Sequence, residues 1–243
     1  MSGRLRRTER DERRRSFGQN FLVDQALISR FVRGLELGPD DLVVDVGAGS
    51  GALTRPITLT GAAAWAVEPD PVWAQRLRKH VVECGASDRV RVIETDVRRL
   101  RLPKDPYRVV GNPPFGLTTD LMSLLLDDPS RGPTRADLIL QFEVARKHSI
   151  CPPTTLRAAG WAPWWEFEMG PTIPRTAFRP RPSVDAAVLT IRKRRPAILP
   201  EHLSATFLER LRPGWGTAYN SSPRRLFAGG GHSSEGVRSD HAP

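Results

Sequence analysis

The segment Gly111-Asn112-Pro113-Pro114-Phe115 places two hydrogen-bond acceptors and an aromatic ring on one stiff turn. That combination suits one reaction in particular. An exocyclic amino group on a heterocycle is a poor nucleophile, because its lone pair is delocalised into the ring. Two acceptors, one for each proton, make the nitrogen more tetrahedral and release the lone pair for attack. The Asn112 side-chain oxygen and the Pro113 carbonyl supply such a pair. Pro113 restricts Asn112 to extended geometry, and Pro114 stiffens the turn further. Phe115 offers a face on which an extruded base stacks. The plain alternative is an Asn-Pro turn with a buried Phe.

A glycine-rich run lies upstream, Asp45-Val46-Gly47-Ala48-Gly49-Ser50-Gly51. Alternate glycines remove Cβ atoms where a ligand approaches the backbone. They also free the amides of a following helix N-terminus for a carboxylate or phosphate. The spacing is G-x-G-x-G, whereas the dinucleotide fingerprint is G-x-G-x-x-G. Alone, the run also fits a tight turn. Glu68 follows 17 residues after Gly51, where a carboxylate accepts from both ribose hydroxyls of a nucleoside. Asp96, in Glu94-Thr95-Asp96-Val97, is placed to accept from an adenine amino group. Each acid could instead be a solvated strand end. Loop and acids in this order, at the ends of successive strands, match a nucleoside cofactor site.

The elements that would hold these residues follow from hydrophobic patterning. Leu42–Val46, Ala64–Val67, Val90–Ile93, Tyr107–Val110 and Leu138–Phe142 read as buried strands. Helical patterns cover Ile28 to Leu35 (ended by Gly38-Pro39), the region of Leu53–Leu59, Val72–Val82 and Leu121–Leu126. Repeated βα units imply a doubly wound, Rossmann-like α/β fold, a parallel sheet with helices on both faces. Trp164–Met169 and Ala186–Ile191 are later strand-like runs that suit an antiparallel edge, and Glu201–Leu211 suits a short helix. The expected division is a basic arm over 1–15, a catalytic domain over 16–195, a small helical C-terminal domain over 196–228 and a tail over 229–243. The arm carries seven Arg, three acids and little that is apolar, so it suits mobile phosphate contacts.

Among 243 residues, 37 Lys+Arg oppose 27 Asp+Glu, a net charge of +10 that points to nucleic acid as partner. Most of the cations are Arg, which suits phosphate forks, although a GC-rich genome produces the same bias. Cys84 and Cys151 lack CxxC spacing, the five His do not cluster, and no metal site is visible. No apolar run is long enough to span a membrane, and no secretory signal is evident, so a cytoplasmic location is expected; a monomer is expected as well.

The motifs together resemble the amino-methyltransferases, and within them the erythromycin-resistance ribosomal RNA adenine N6-methyltransferases. The similarity rests on Gln19-Asn20-Phe21-Leu22, Asp45–Thr54, Val67-Glu68-Pro69-Asp70, Thr95-Asp96, Gly111–Phe115 and Phe178-Arg179-Pro180-Arg181-Pro182-Ser183-Val184-Asp185. The resemblance implies an enzyme that takes methyl from S-adenosylmethionine to N6 of an adenine in 23S ribosomal RNA, blocking macrolide-type antibiotics. It also implies roles. Gln19, Asn20 and Leu22 would form the lip beside the cofactor's methionine part; Gly47, Ala48, Gly49 and Gly51 would pass under it. Glu68 and Pro69 would meet the ribose, Asp96 and Val97 the adenine, and Asn112 would border both ligands. Asn112, Pro113 and Phe115 would grip the target base, with Phe178 stacking near it. The family more often has Ile or Leu where this chain has Pro113. Alternatives are a 16S ribosomal RNA adenine dimethylase, a DNA amino-methyltransferase and a non-catalytic RNA chaperone on the same scaffold.

Overall fold

Residues 20–221 are described in the computed structural model. The arm over 1–15, Gln19 and the tail over 229–243 lie outside them. The sheet is entered at an interior strand, β2 (Leu42–Val46), whose LVVDV sequence is buried at four of its five positions. Such a run, apolar on both faces, suits a parallel strand covered on both sides. From β2 the chain runs outward one way through β3 (Ala63–Val67) and β4 (Val90–Ile93). It then returns and runs the other way through β5 (Arg108–Gly111) and β6 (Arg135–Gln141). Two further strands, β7 (Trp165–Ile173) and β9 (Ala186–Lys193), complete a seven-stranded sheet of order β4-β3-β2-β5-β6-β9-β7. The sequence places the last two as an antiparallel edge; the ladder shows more. β9 inserts between β6 and β7 and is antiparallel to both.

The reversal of direction at β2 and β5 is what makes a site. Val46 pairs with Gly111 at the carboxyl ends of these neighbours, so the two loops that follow must emerge side by side. Open α/β sheets bind ligands in the crevice at such a switch point.

Helix α1 (Gln25–Arg33) buries Ile28 and Val32. It ends at Gly34, earlier than the periodicity through Leu35 suggests; Leu35 is buried from a turn, its N–H donating to the Val32 carbonyl. Its start is set by Asp24, whose carboxylate accepts from the Leu27 N–H at 3.0 Å. Asp24→Ala should therefore cost about 1 kcal/mol of stability, read as a lower denaturation midpoint; an unchanged midpoint would mean the cap contributes nothing. The short α2 (Thr54–Thr58) follows the glycine loop. Asp70 caps α3 (Pro71–Glu83) with Pro71 at its first position, where the missing N–H costs nothing.

Between β4 and β5 the sheet is crossed without an α-helix, by one 3-10 turn over Val97–Arg99. Helix α4 (Thr118–Leu126) begins three residues earlier than its apolar run, and β6 ends at Gln141. Phe142, expected in that strand, opens α5 (Phe142–Ser149) instead, with its N–H bonded to the Asp185 carbonyl. After α6 (Leu156–Trp161), the two-residue β8 (Phe178–Arg179) pairs with β1 (Phe21–Leu22). Helix α7 (Ser204–Ser221) is longer than the expected Glu201–Leu211 and carries Pro213 within it. It packs on the catalytic sheet's flank, where Phe207 meets Trp164 edge to face at 5.7 Å. Among the described residues no helix is long and apolar enough to cross a membrane.

Candidate active site

The two sequence motifs converge as the strand order requires. Gly47 has φ +77°, and a Cβ there would sit 3.1 Å from the Asn112 carbonyl oxygen and 3.2 Å from Pro113 Cα. Gly49, at φ +54°, would drive a Cβ to 2.9 Å from the Phe21 ring; Gly51, at φ +88°, to 2.8 Å from Leu77. The glycines thus have a reason beyond room for a ligand. Left-handed backbone and the chain's own packing each demand them. Gly111 belongs with this set: its Cβ would meet the Val46 carbonyl oxygen at 2.5 Å.

Glu68 is fully buried. Its Oε2 accepts from the Gly49 N–H at 2.8 Å, and its Oε1 accepts from the Asp70 N–H at 2.9 Å. The acid at the end of β3 therefore organises the glycine loop directly. Asp96 caps the 3-10 turn, accepting from the Arg98 N–H at 2.9 Å. Its neighbours Thr95 and Val97, with Pro69, Pro113, Pro114 and Leu117, line a narrow apolar slot.

Asp45 is a site residue that the motif contained without a role. It is fully buried, its Oδ2 accepts from the Thr54 hydroxyl at 2.6 Å, and its Oδ1 has no hydrogen-bond partner among the described residues. Burial, with the Glu68 charge adding to it, pushes its carboxyl up to about 7 against the Thr54 hydrogen bond. A buried acceptor left open beside a nucleoside site fits a cationic ligand group.

The β1–β8 ribbon carries the remaining pieces. Leu22 pairs with Phe178 and is itself buried. Asn20, just before β1, presents its carbonyl to the Asn112 side chain, whose Nδ2 donates to it at 2.8 Å. That bond turns Oδ1 of Asn112 into the free acceptor of the amide. Phe115 is half-buried at the start of a 3-10 turn over Phe115–Leu117, and its carbonyl accepts from the Thr118 hydroxyl at 3.0 Å. Phe178 departs from its expected placement. It is fully buried in the core cluster with Leu22 and Ile173, so its ring offers no face to a base here. Trp73 is half-buried and faces Phe21 at 4.9 Å, with the Arg76 guanidinium 4.9 Å over its ring.

A family model described as ribosomal RNA adenine dimethylase matches residues 10–211, more than four-fifths of the chain. The protein belongs to this family. A protein named rRNA methyltransferase from Streptomyces thermotolerans is 38% identical over 91% of this chain and 74% of its own length. The mycinamicin-resistance protein MyrB of Micromonospora griseorubida is 35% identical over 84% of this chain and 65% of its own length. Among solved structures, the 23S rRNA methyltransferase ErmE superposes with a TM-score of 0.71 at 27% identity, covering 82% of each chain. The fold and the family's methyltransferase architecture are thus those that the motifs led to.

Replacing the loop-organising acid tests the cofactor half of this site. Glu68→Ala leaves two buried N–H groups, on Gly49 and Asp70, without their acceptor. It also removes the ribose acceptor, at about 1–3 kcal/mol. Calorimetry with S-adenosylhomocysteine should show binding weakened by roughly tenfold or more. Wild-type affinity in the variant would place Glu68 outside the cofactor site.

Proposed function

We propose that the protein transfers methyl from S-adenosylmethionine to N6 of an adenine in 23S ribosomal RNA, and that the product resists macrolide-type antibiotics. The observation that carries this reading is the Asn112 amide, fixed by its bond to the Asn20 carbonyl at the end of β5, beside the glycine loop. Support for the cofactor comes from the orphaned Asp45 oxygen, the buried Glu68 carboxylate and the apolar slot behind Pro69, Val97 and Pro114. Asp45 would meet its ammonium, Glu68 its ribose, and the slot its adenine. When bound, it supplies a methyl already activated on sulfonium, so the protein needs no strong base.

The chain's own part is positioning. Asn112 Oδ1 and the Pro113 carbonyl each accept one N6 proton of the target, and their directions are set before the base arrives. Acceptors fixed in advance, where positive charge develops on nitrogen, lower the barrier without reorganising at the moment of reaction. Phe115 supports the extruded base; Phe178 would do so only after a shift of the ribbon around it. The names of MyrB and ErmE support the resistance role and the 23S target. We further propose that the protein works as a cytoplasmic monomer, with residues 196–228 forming a small C-terminal domain beside the catalytic domain of 16–195.

Mass spectrometry of 16S and 23S ribosomal RNA from cells with and without the protein tests the reading. N6-methyladenine added to 23S is expected. Methyl groups confined to 16S would make it a small-subunit dimethylase, and no change in either would remove ribosomal RNA as substrate.

A further inference from the structure

The helix-free crossover from β4 to β5 carries Arg98, Arg99, Arg101 and Lys104 down one flank of the sheet, from the nucleoside slot to the opposite end. There it meets two other segments, the loop before β6 and the end of β9. Together they enclose a groove of about 580 Å³, bordered by Arg101, Lys104, Arg131, Lys193 and Arg195, with Asp105 as its one acid among the described residues. Lys193 is committed, donating to the Pro129 carbonyl at 2.7 Å and pairing with Glu201 at 2.6 Å. The other four cations are exposed, and none has an acidic partner among the described residues. Elsewhere on the same sheet, Arg135, Arg192 and Arg194 each hold a carboxylate within 2.8 Å.

The frame under these cations is rigid. The Tyr107 hydroxyl donates to the Arg131 carbonyl at 3.0 Å, and the Thr134 N–H donates to the Tyr107 carbonyl at 2.8 Å. Pro103 and Pro106 stiffen the facing wall. Four uncompensated cations held around an open groove suit several phosphates in a row, and Arg binds them in forks. Among the described residues, Tyr107 is the one aromatic residue lining the groove, and it is buried, so its ring is not offered for base stacking. The contact is to backbone, without sequence readout.

We infer that this groove, at the far end of the sheet from Asn112, binds the phosphate backbone of the RNA substrate at a point remote from the target adenine. The inference rests on the proposed reading of the protein as an RNA methyltransferase. From Tyr107 to Asn112 the extended chain runs roughly 16 Å, so RNA engaged at both ends must follow the Arg-bearing crossover between them. A folded RNA with backbone at both places is thereby preferred over a short loop alone.

The test is a triple substitution in the full chain, Arg101→Ala, Lys104→Ala and Arg131→Ala, with Arg33→Ala, Lys79→Ala and Arg89→Ala as a control removing equal charge elsewhere. Binding to protein-free 23S ribosomal RNA is measured across a salt series. The groove variant should bind about 10–100-fold more weakly at low salt, with its log–log salt slope shallower by roughly 2–3, as expected for three lost phosphate contacts. S-adenosylhomocysteine affinity and the single-turnover rate at saturating RNA should stay within about twofold. Slopes equal to wild type, or an equal loss in the control, would overturn the inference. Because binding is the readout, a wild-type protein that binds RNA without methylating it would refute the proposed function while the groove is still decided by the slopes.

Discussion

Asn112→Ala should slow single-turnover methylation by roughly 10²–10³-fold at saturating cofactor and RNA, the loss expected when one preorganised electrostatic contact disappears from a reacting centre. The substitution has two consequences. It removes Oδ1, one of the two acceptors for the amine protons. It also removes the Nδ2 donor that ties the turn after β5 to the Asn20 carbonyl. Asn112→Asp separates them, because it keeps an acceptor and loses only the tie. Its rate should fall between wild type and the alanine variant. Cofactor affinity, measured apart with S-adenosylhomocysteine, should change less than the rate in both. A near-normal single-turnover rate for Asn112→Ala would reduce Asn112 to a turn residue and leave the mechanism without its first acceptor.

The parts of this molecule legible in its sequence are those with a strong local cause. Val90–Ile93 coincides with its strand, and the strands β2, β3 and β5 differ from their apolar runs by a residue or less at each end. Runs buried on both faces leave little freedom in where they stop. The glycine loop and the NPPF turn were legible because unusual residues occur there in tight spacing. The insertion of β9 between β6 and β7 was not, since strand order depends on pairings between residues more than 40 positions apart. The helices α5 and α6 span only 8 and 6 residues, too short for periodicity to mark them. Gly111 is required by the closeness of a neighbouring strand, which no local pattern records. Phe178 sits away from its expected role for a similar reason. Motif resemblance makes Phe178 a platform for a base. The ribbon of β1 with β8 instead buries Phe178 and brings Phe21 out to cover Trp73.

Asp45 gives the clearest pH signature expected of this fold. Its carboxyl ionises at about 7 in the folded chain, because burial penalises the charge and Glu68 repels it. In the unfolded chain the value returns to about 3.8. The folded state therefore holds a proton that the unfolded state gives up between these values. The stability tied to this proton is complete below about 3.8, declines as pH rises, and is lost once pH passes about 7. Asp45→Asn keeps an acceptor for the Thr54 hydroxyl and removes the titration. Denaturant unfolding of both proteins without cofactor should show the variant gaining on wild type by about 2–3 kcal/mol from pH 5 to pH 8, at 1.36 kcal/mol for each unit of separation. Saturating S-adenosylhomocysteine should narrow that gap, since an ammonium at the open Oδ1 favours the carboxylate and restores its stability at high pH. A difference between the two proteins that is flat from pH 5 to pH 8 would show that Asp45 is ionised throughout in the folded state. Burial would then not be what sets its titration, and the expected pH signature would be lost.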